Sequence, residues 1–225
     1  MTVLFWDFDG TLVHSENHWS QSVYDALLAV DDRTSVTLEQ IDAHMRFAWP
    51  WHTPERDYTN DIGAAWWKRM EERFAACYMA CSAEETTALT AAAKVRPLIA
   101  SAQHYTLYPD AIATLQAARK MGCRNVLLSN NYPELPRILE QLGLSPLLDG
   151  AVISSLEGYN KPRRELFAIA KERFPAQRYI MTGDNPIADV QGAKDAGMTA
   201  VLVHRGKAEQ ADGCFDDLQS VLSLI

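Results

Sequence analysis

No apolar run in this 225-residue chain approaches the roughly 18 residues that a membrane-spanning helix requires. The first apolar stretch, residues 3–6, is cut off by Asp7, whereas a secretory signal needs a basic start and about 7–15 apolar residues. Cysteine is scarce. The four, Cys77, Cys81, Cys123 and Cys214, form no C-x-x-C and no zinc-spaced cluster with histidine, which argues against a zinc ribbon or a disulfide framework. Cys77 and Cys81 lie four apart in a helical pattern and read as small buried residues sharing a face. A reducing, cytoplasmic setting is the expectation. Basic residues are outnumbered 21 to 29, for a net charge of -8. A general nucleic-acid or anionic-membrane surface is basic, so neither is an expected partner. An acidic protein that binds an anion needs local help from a metal ion or one well-placed lysine. Internal repeats and low-complexity tails are absent.

What is present is an alternation of short apolar runs and helical patterns. Val3 to Trp6 reads as a strand ending at Asp7-Phe8-Asp9-Gly10-Thr11, with Gly10 marking a tight turn. Residues 15–104 read as successive helices without a convincing strand. In that block Thr37-Leu38-Glu39-Gln40 has the capping-box form, and Asn60 or Asp61 is placed to cap a long helix containing Ile62, Trp66, Met70, Phe74 and Cys77. From Pro109 onward the pattern changes. Strands are expected at 125–129, 151–154, 178–182 and 199–203, separated by helices at 110–121, 133–142, 162–174 and 187–196, with a last helix at 215–224. Gly122, Gly143 and Gly197 supply the helix stops. Alternation of this kind indicates an α/β fold, a doubly wound parallel sheet covered on both faces, with an inserted all-helical domain. The expected division is a core of residues 1–13 with 107–225, and a helical insertion of residues 14–106.

In such sheets ligands bind at the carboxyl ends of the strands. Asp7 and Asp9 follow the first strand. Ser129, Asn130 and Asn131 close the second. Gly183, Asp184 and Asn185, then Asp189, follow the strand at 178–182, and Lys161 stands just before a helix. Singly, each is an ordinary turn, cap or surface residue. Together they put four acids, a hydroxyl and an ammonium on one edge of one sheet.

These segments resemble the motifs of the haloacid dehalogenase-like (HAD) hydrolase superfamily. Asp7-Phe8-Asp9-Gly10-Thr11-Leu12-Val13 is similar to its first motif and Ser129-Asn130-Asn131 to its second. Lys161, in Asn160-Lys161-Pro162, resembles its third, and Gly183 to Asp189, continuing to Met198, its fourth. The helical insertion sits where members with a type I cap carry theirs. The resemblance implies a Rossmann-like core and a Mg²⁺-dependent phosphatase working through an aspartyl-phosphate. Asp7 would be the nucleophile and Asp9 the general acid and then base. Asp7, Asp184 and the backbone carbonyl of Asp9 would hold Mg²⁺, which prefers hard oxygen ligands. Ser129, the backbone near Asn130, and Lys161 would bind the phosphoryl oxygens. Asp189, Asn185 and Thr11 would support these groups from behind, Asp189 by orienting Lys161 or a metal-bound water. Asn185 departs from the Ser or Thr common at its position, and His14 from a common Asp.

The implied substrate is a small phosphorylated metabolite, and the protein a monomer or homodimer. A dehalogenase would not need Asp9. A phosphomutase of the same family is an alternative, although no signature for one is visible. A non-catalytic module binding a phosphorylated ligand is another, set against the intact acids. Five of the six tryptophans fall in the insertion: Trp19, Trp49, Trp51, Trp66 and Trp67. The segment Phe47 to His52 reads either as a loop closing over the site or as packing for the insertion's own core. Arg46, Arg56, Lys68 and Arg69 are candidates to meet a second anionic group, with solvated charge as the plain alternative.

Overall fold

The computed structural model describes residues 1–16 and 18–225. Its sheet has six strands: β1 (Thr2–Trp6), β4 (Arg124–Ser129), β5 (Gly150–Ile153), β6 (Arg178–Gly183), β7 (Thr199–Val203) and β8 (Gly213–Phe215). The spatial order is β5-β4-β1-β6-β7-β8, and every pairing is parallel. The inner strands β4, β1, β6 and β7 are buried on both sides, as a parallel sheet between helical layers requires, while the edge strand β8 is only half-buried. In β1, Val3 and Phe5 join one apolar cluster with Phe167 and Met181, while Leu4 and Trp6 join the other with Leu115 and Ile138. Helices α5 (Ala111–Lys120) and α6 (Leu135–Gln141) cover that second face, and α8 (Arg164–Arg173) covers the first. The buried Trp6 indole donates to Asn125 Oδ1 (3.1 Å), and Asn125 Nδ2 donates to Leu115 O (2.8 Å), so these core polar groups are satisfied.

Between β1 and β4 the chain leaves the sheet through a two-stranded antiparallel ribbon of β2 (Val13–Ser15) and β3 (Tyr105–Leu107). The helical block hangs from this ribbon. It comprises α1 (His18–Leu28), α2 (Leu38–Met45), α3 (Ala64–Ala80) and α4 (Glu85–Ile99). The Thr37 capping box forms as its spacing dictates, with Gln40 N donating to Thr37 Oγ1 and Thr37 N to Gln40 Oε1. Neither Asn60 nor Asp61 caps α3. Gly63, at φ 57°, takes that place, and Ile62 stays outside the helix. Pro97 is accommodated in the last turn of α4. The tail also differs from expectation: residues 213–215 add an edge strand, and the last helix shortens to a 3₁₀ turn at Gln219–Leu224. Cys77 and Cys81 are buried on one face of α3, as their spacing implies. No described helix is long and apolar enough to cross a membrane.

Insertion and core meet around His18. Its Nε2 lies 3.3 Å from Tyr105 Oη, which in turn lies 3.0 Å from Tyr132 Oη of the core. Burial, and then the neighbouring His104, push the His18 pKa from 6.5 down to about 3. The folded value is thus below the unfolded one, and protonation favours unfolding. This group's contribution is complete above about pH 6.5 and is lost as pH falls toward about 3, by at most ~1.4 kcal/mol per pH unit. Urea titrations of His18→Gln protein should lack that portion of the slope. An unchanged slope would assign the acid lability to other groups.

Candidate functional site

Register brings the strand ends together. Trp6 pairs with Thr182, and Asp7 N donates to Thr182 O (2.9 Å), so Asp7 emerges beside the end of β6. On its other flank β1 pairs with β4, whose last residue is Ser129. Asp7, Asp9, Ser129, Asn130, Lys161, Asp184 and Asn185 line one cavity of about 170 Å³. Two glycines make this packing feasible. Gly10 turns at φ 80°, where a Cβ would collide with the Asp184 carboxylate, and a Cβ on Gly183 would collide with Asp189.

Lys161 is buried, with 1 % of its side chain exposed. Its three donors face three acceptors: Asp189 Oδ1 at 2.5 Å, Leu128 O at 2.9 Å and Asp7 Oδ1 at 2.9 Å. The Asp7 contact is ionic, since Oδ1 accepts no well-aligned hydrogen bond. Burial would strip the Lys161 proton, but Asp189 and then Asp7 outweigh it, and the ammonium's pKa is raised. Burial pushes the Asp189 carboxyl up, against the pull of Lys161 and of the Asn185 N–H on Oδ2 (2.9 Å). Asp189 reaches this position on a π-helical turn, Pro186–Gln191, rather than on the α-helix expected from 187. Asn185 starts that turn, its Oδ1 accepting from Ile187 N and Ala188 N, both at 2.9 Å. Asn130 is tied to the Lys161 segment. Its Oδ1 accepts from Lys161 N (2.7 Å) and its Nδ2 donates to Lys161 O (3.0 Å), which fixes the carboxamide against that segment.

Asp9 faces the cavity from the insertion side. Both its oxygens accept from Ser15 Oγ, at 2.9 and 2.8 Å, and its pKa is pushed up to about 6. Burial is the largest cause, opposed by the Ser15 bond and reinforced by the charges of Asp7 and Asp184. Thr11 is fully buried and does not line the cavity; its Oγ1 has no hydrogen-bond partner among the described residues, and its carbonyl lies 3.2 Å from His204 Nε2.

The donor set suits a hard divalent cation. Asp7, Asp184 and Asp189 present carboxylate oxygens within 4.8 Å of one another, an all-oxygen set of the kind such a cation takes. Asp189 spends both oxygens on Lys161 and Asn185, which leaves Asp7 and Asp184 facing the open side.

Arg205 is the residue that sequence reading missed. Its Nε and Nη2 lie 3.0 Å from Asp184 Oδ2. Applying the strand-end rule to β7, as to the other strands, would have found it. Arg46 pairs with Asp42 and Arg69 with Asp61, Arg56 stacks over Tyr58, and Lys68 is exposed; none of the four lines the cavity. The tryptophans divide. Trp49, Trp66 and Trp67 are buried in the packing, whereas Trp19 and Trp51 wall the cavity above Asp9.

A family model described as haloacid dehalogenase-like hydrolase matches residues 1–197. A phosphoserine phosphatase of Thermus thermophilus is 38% identical over 120 residues, 52% of this chain and 48% of that protein. A glyceraldehyde 3-phosphate phosphatase of Methanopyrus kandleri is 32% identical over 113 residues, 49% of this chain and 48% of that one. The matches thus span about half the length of these relatives. Among solved structures, the HAD-hydrolase YfnB of Bacillus subtilis, determined with magnesium bound, superposes with a TM-score of 0.72 at 17% identity, covering 99% of this chain and 97% of that one. At that identity the likeness speaks for the fold.

Proposed function

Since this chain belongs to the haloacid dehalogenase-like hydrolases, we propose that it is a Mg²⁺-dependent phosphatase acting on a small phosphorylated metabolite. The observation that carries this reading is the trio on one cavity: Asp7 against the Lys161 ammonium at 2.9 Å, with Asp9 held ready to carry a proton. A dehalogenase has no use for that second acid.

In this reading Asp7 attacks phosphorus through a carboxylate oxygen, and the bond to the leaving oxygen breaks. Asp9 gives that oxygen its proton, then takes one from the water that hydrolyses the aspartyl-phosphate, and both acids return to their starting states. Its raised pKa supports the double duty, because a group near neutrality both donates and accepts readily. Lys161 neutralises charge gathering on the transferring group, and Ser129 with the Asn130 backbone holds the phosphoryl oxygens. Asp7, Asp184 and the Asp9 carbonyl would hold Mg²⁺, which when bound supplies positive charge against those oxygens. Asp189 keeps Lys161 charged and aimed. We assign residues 14–106 as a cap over a core of 1–13 and 107–225, with Trp19 and Trp51 excluding water from the cavity.

Phosphate release from a panel of phosphate monoesters is the test. Activity in Mg²⁺ should fall to background on adding a chelator and return with excess Mg²⁺. Undiminished release in the chelator would remove the metal from the reading.

A further inference from the structure

We propose that Arg205 is a specificity-determining residue that grips a carboxylate on the leaving-group side of the substrate, so that the preferred substrate is a small phosphorylated acid. This rests on the phosphatase reading and narrows it. The inner cavity at Asp7 opens into an outer one of about 520 Å³, and the two share Asp9, Asn130, Asp184 and the walls Trp19 and Trp51. A phosphoryl group at Asp7 therefore leaves the rest of its molecule in the outer space. Among the described residues lining that space, Arg205 is the one lysine or arginine.

The guanidinium already holds a carboxylate there. Nε donates to Asp184 Oδ2 at 3.0 Å and Nη2 lies at the same distance from that oxygen, so the guanidinium stands where a carboxylate can reach it. That internal pair is exchangeable. Arg205 is 63% exposed against 13% for Asp184, so the guanidinium is the partner that can swing out into solvent, and leaving the pair does not bury it unpaired. When Asp184 turns to other work, the guanidinium is freed beside the mouth of the inner cavity. An arginine matches a planar carboxylate with two donors, which a lysine does not.

The backbone before Arg205 is fixed rather than loose. His204 has φ 61°, an uncommon state for a side chain other than glycine. It is held there by the stacking of its ring on Tyr108, with centroids 3.8 Å apart, and by the ring N–H, which has a carbonyl to donate to in either tautomer: Asp216 O, 3.0 Å from Nδ1, or Thr11 O, 3.2 Å from Nε2. Strained residues held by their surroundings gather at functional sites. Here the strained residue joins the first-motif turn to Arg205, so one corner sets where the Arg205 backbone stands relative to that turn.

The test compares phosphoglycolate with hydroxyethyl phosphate, which has an uncharged hydroxymethyl group in place of the carboxylate, and with ethylene glycol bisphosphate. Wild-type kcat/KM should favour phosphoglycolate over the neutral analogue by about 10- to 100-fold, and Arg205→Met should bring that ratio near one. Equal wild-type rates, or a ratio that survives Arg205→Met, would overturn the proposal. A bisphosphate preferred to phosphoglycolate and lost in Arg205→Met would make the second anion a phosphate and sink the carboxylate assignment. Calorimetric binding to the Asp7→Asn protein, with and without Arg205→Met, reads the same preference without turnover. Absence of phosphate release from all three compounds, with the binding preference intact, would strike the phosphatase reading and leave the carboxylate contact standing.

Discussion

Asp7→Asn protein should stay folded and lose phosphatase activity by at least roughly 10⁴-fold, the scale expected when a covalent nucleophile is removed. The substitution keeps shape and removes one oxygen nucleophile. Lys161 retains Asp189 and Leu128 O as partners, so the buried ammonium is not stranded. The thermal midpoint should therefore move little while turnover of an aryl phosphate vanishes. Such a substrate separates two roles, because its good leaving group needs little help from Asp9 but still needs a nucleophile. Retention of a substantial Mg²⁺-dependent rate would place the attack on a water molecule instead.

Lys161→Met should have the largest effect on stability. It leaves the fully buried Asp189 without its counter-charge and Asp7 without its neighbour. Removing one partner of a buried pair costs about 3–5 kcal/mol. Against a total of roughly 5–15 kcal/mol for a folded domain, that is a large fraction. The double variant Lys161→Met with Asp189→Asn removes the orphaned charge and should recover more than half of the loss in urea unfolding. Neither protein should regain activity, since the positive charge facing Asp7 is gone in both. A single-variant loss under about 1 kcal/mol would mean that Asp189 is not ionised against Lys161, and the charge assignment would have to be redrawn.

The convergence of Asp7, Asp9, Ser129, Lys161 and Asp184 on one cavity was legible because each follows a recognisable strand or turn of one fold. Asp7 and Asp9 must follow a buried strand, and Gly183 must lack a side chain because Asp189 packs where its Cβ would be. The sheet was legible because strands buried on both faces read as unbroken apolar runs. The ribbon of β2 and β3 was not, since three residues a side carry no periodicity. The edge strand at 213–215 failed for the same reason, lying beside a helical-looking tail. The π-turn at 186–191 could not be read from spacing, because Asn185 side-chain capping and the Lys161 contact decide it. Arg205 lies two residues past the end of β7, the one sheet strand with a legible apolar run to which the strand-end rule was not applied, and the parallel pairing of β6 with β7 puts it beside Asp184.

The covalent step is tested most directly in Asp9→Asn protein, mixed with an aryl phosphate and Mg²⁺ and quenched in acid. Aryl release does not need the missing acid, whereas hydrolysis of the intermediate needs the missing base. A phosphoryl group should accumulate on the peptide that carries Asp7, be released by hydroxylamine, and be absent when Asp7 is also replaced by Asn. Full aryl release with an unmodified Asp7 peptide, or a label on another residue, would contradict the account.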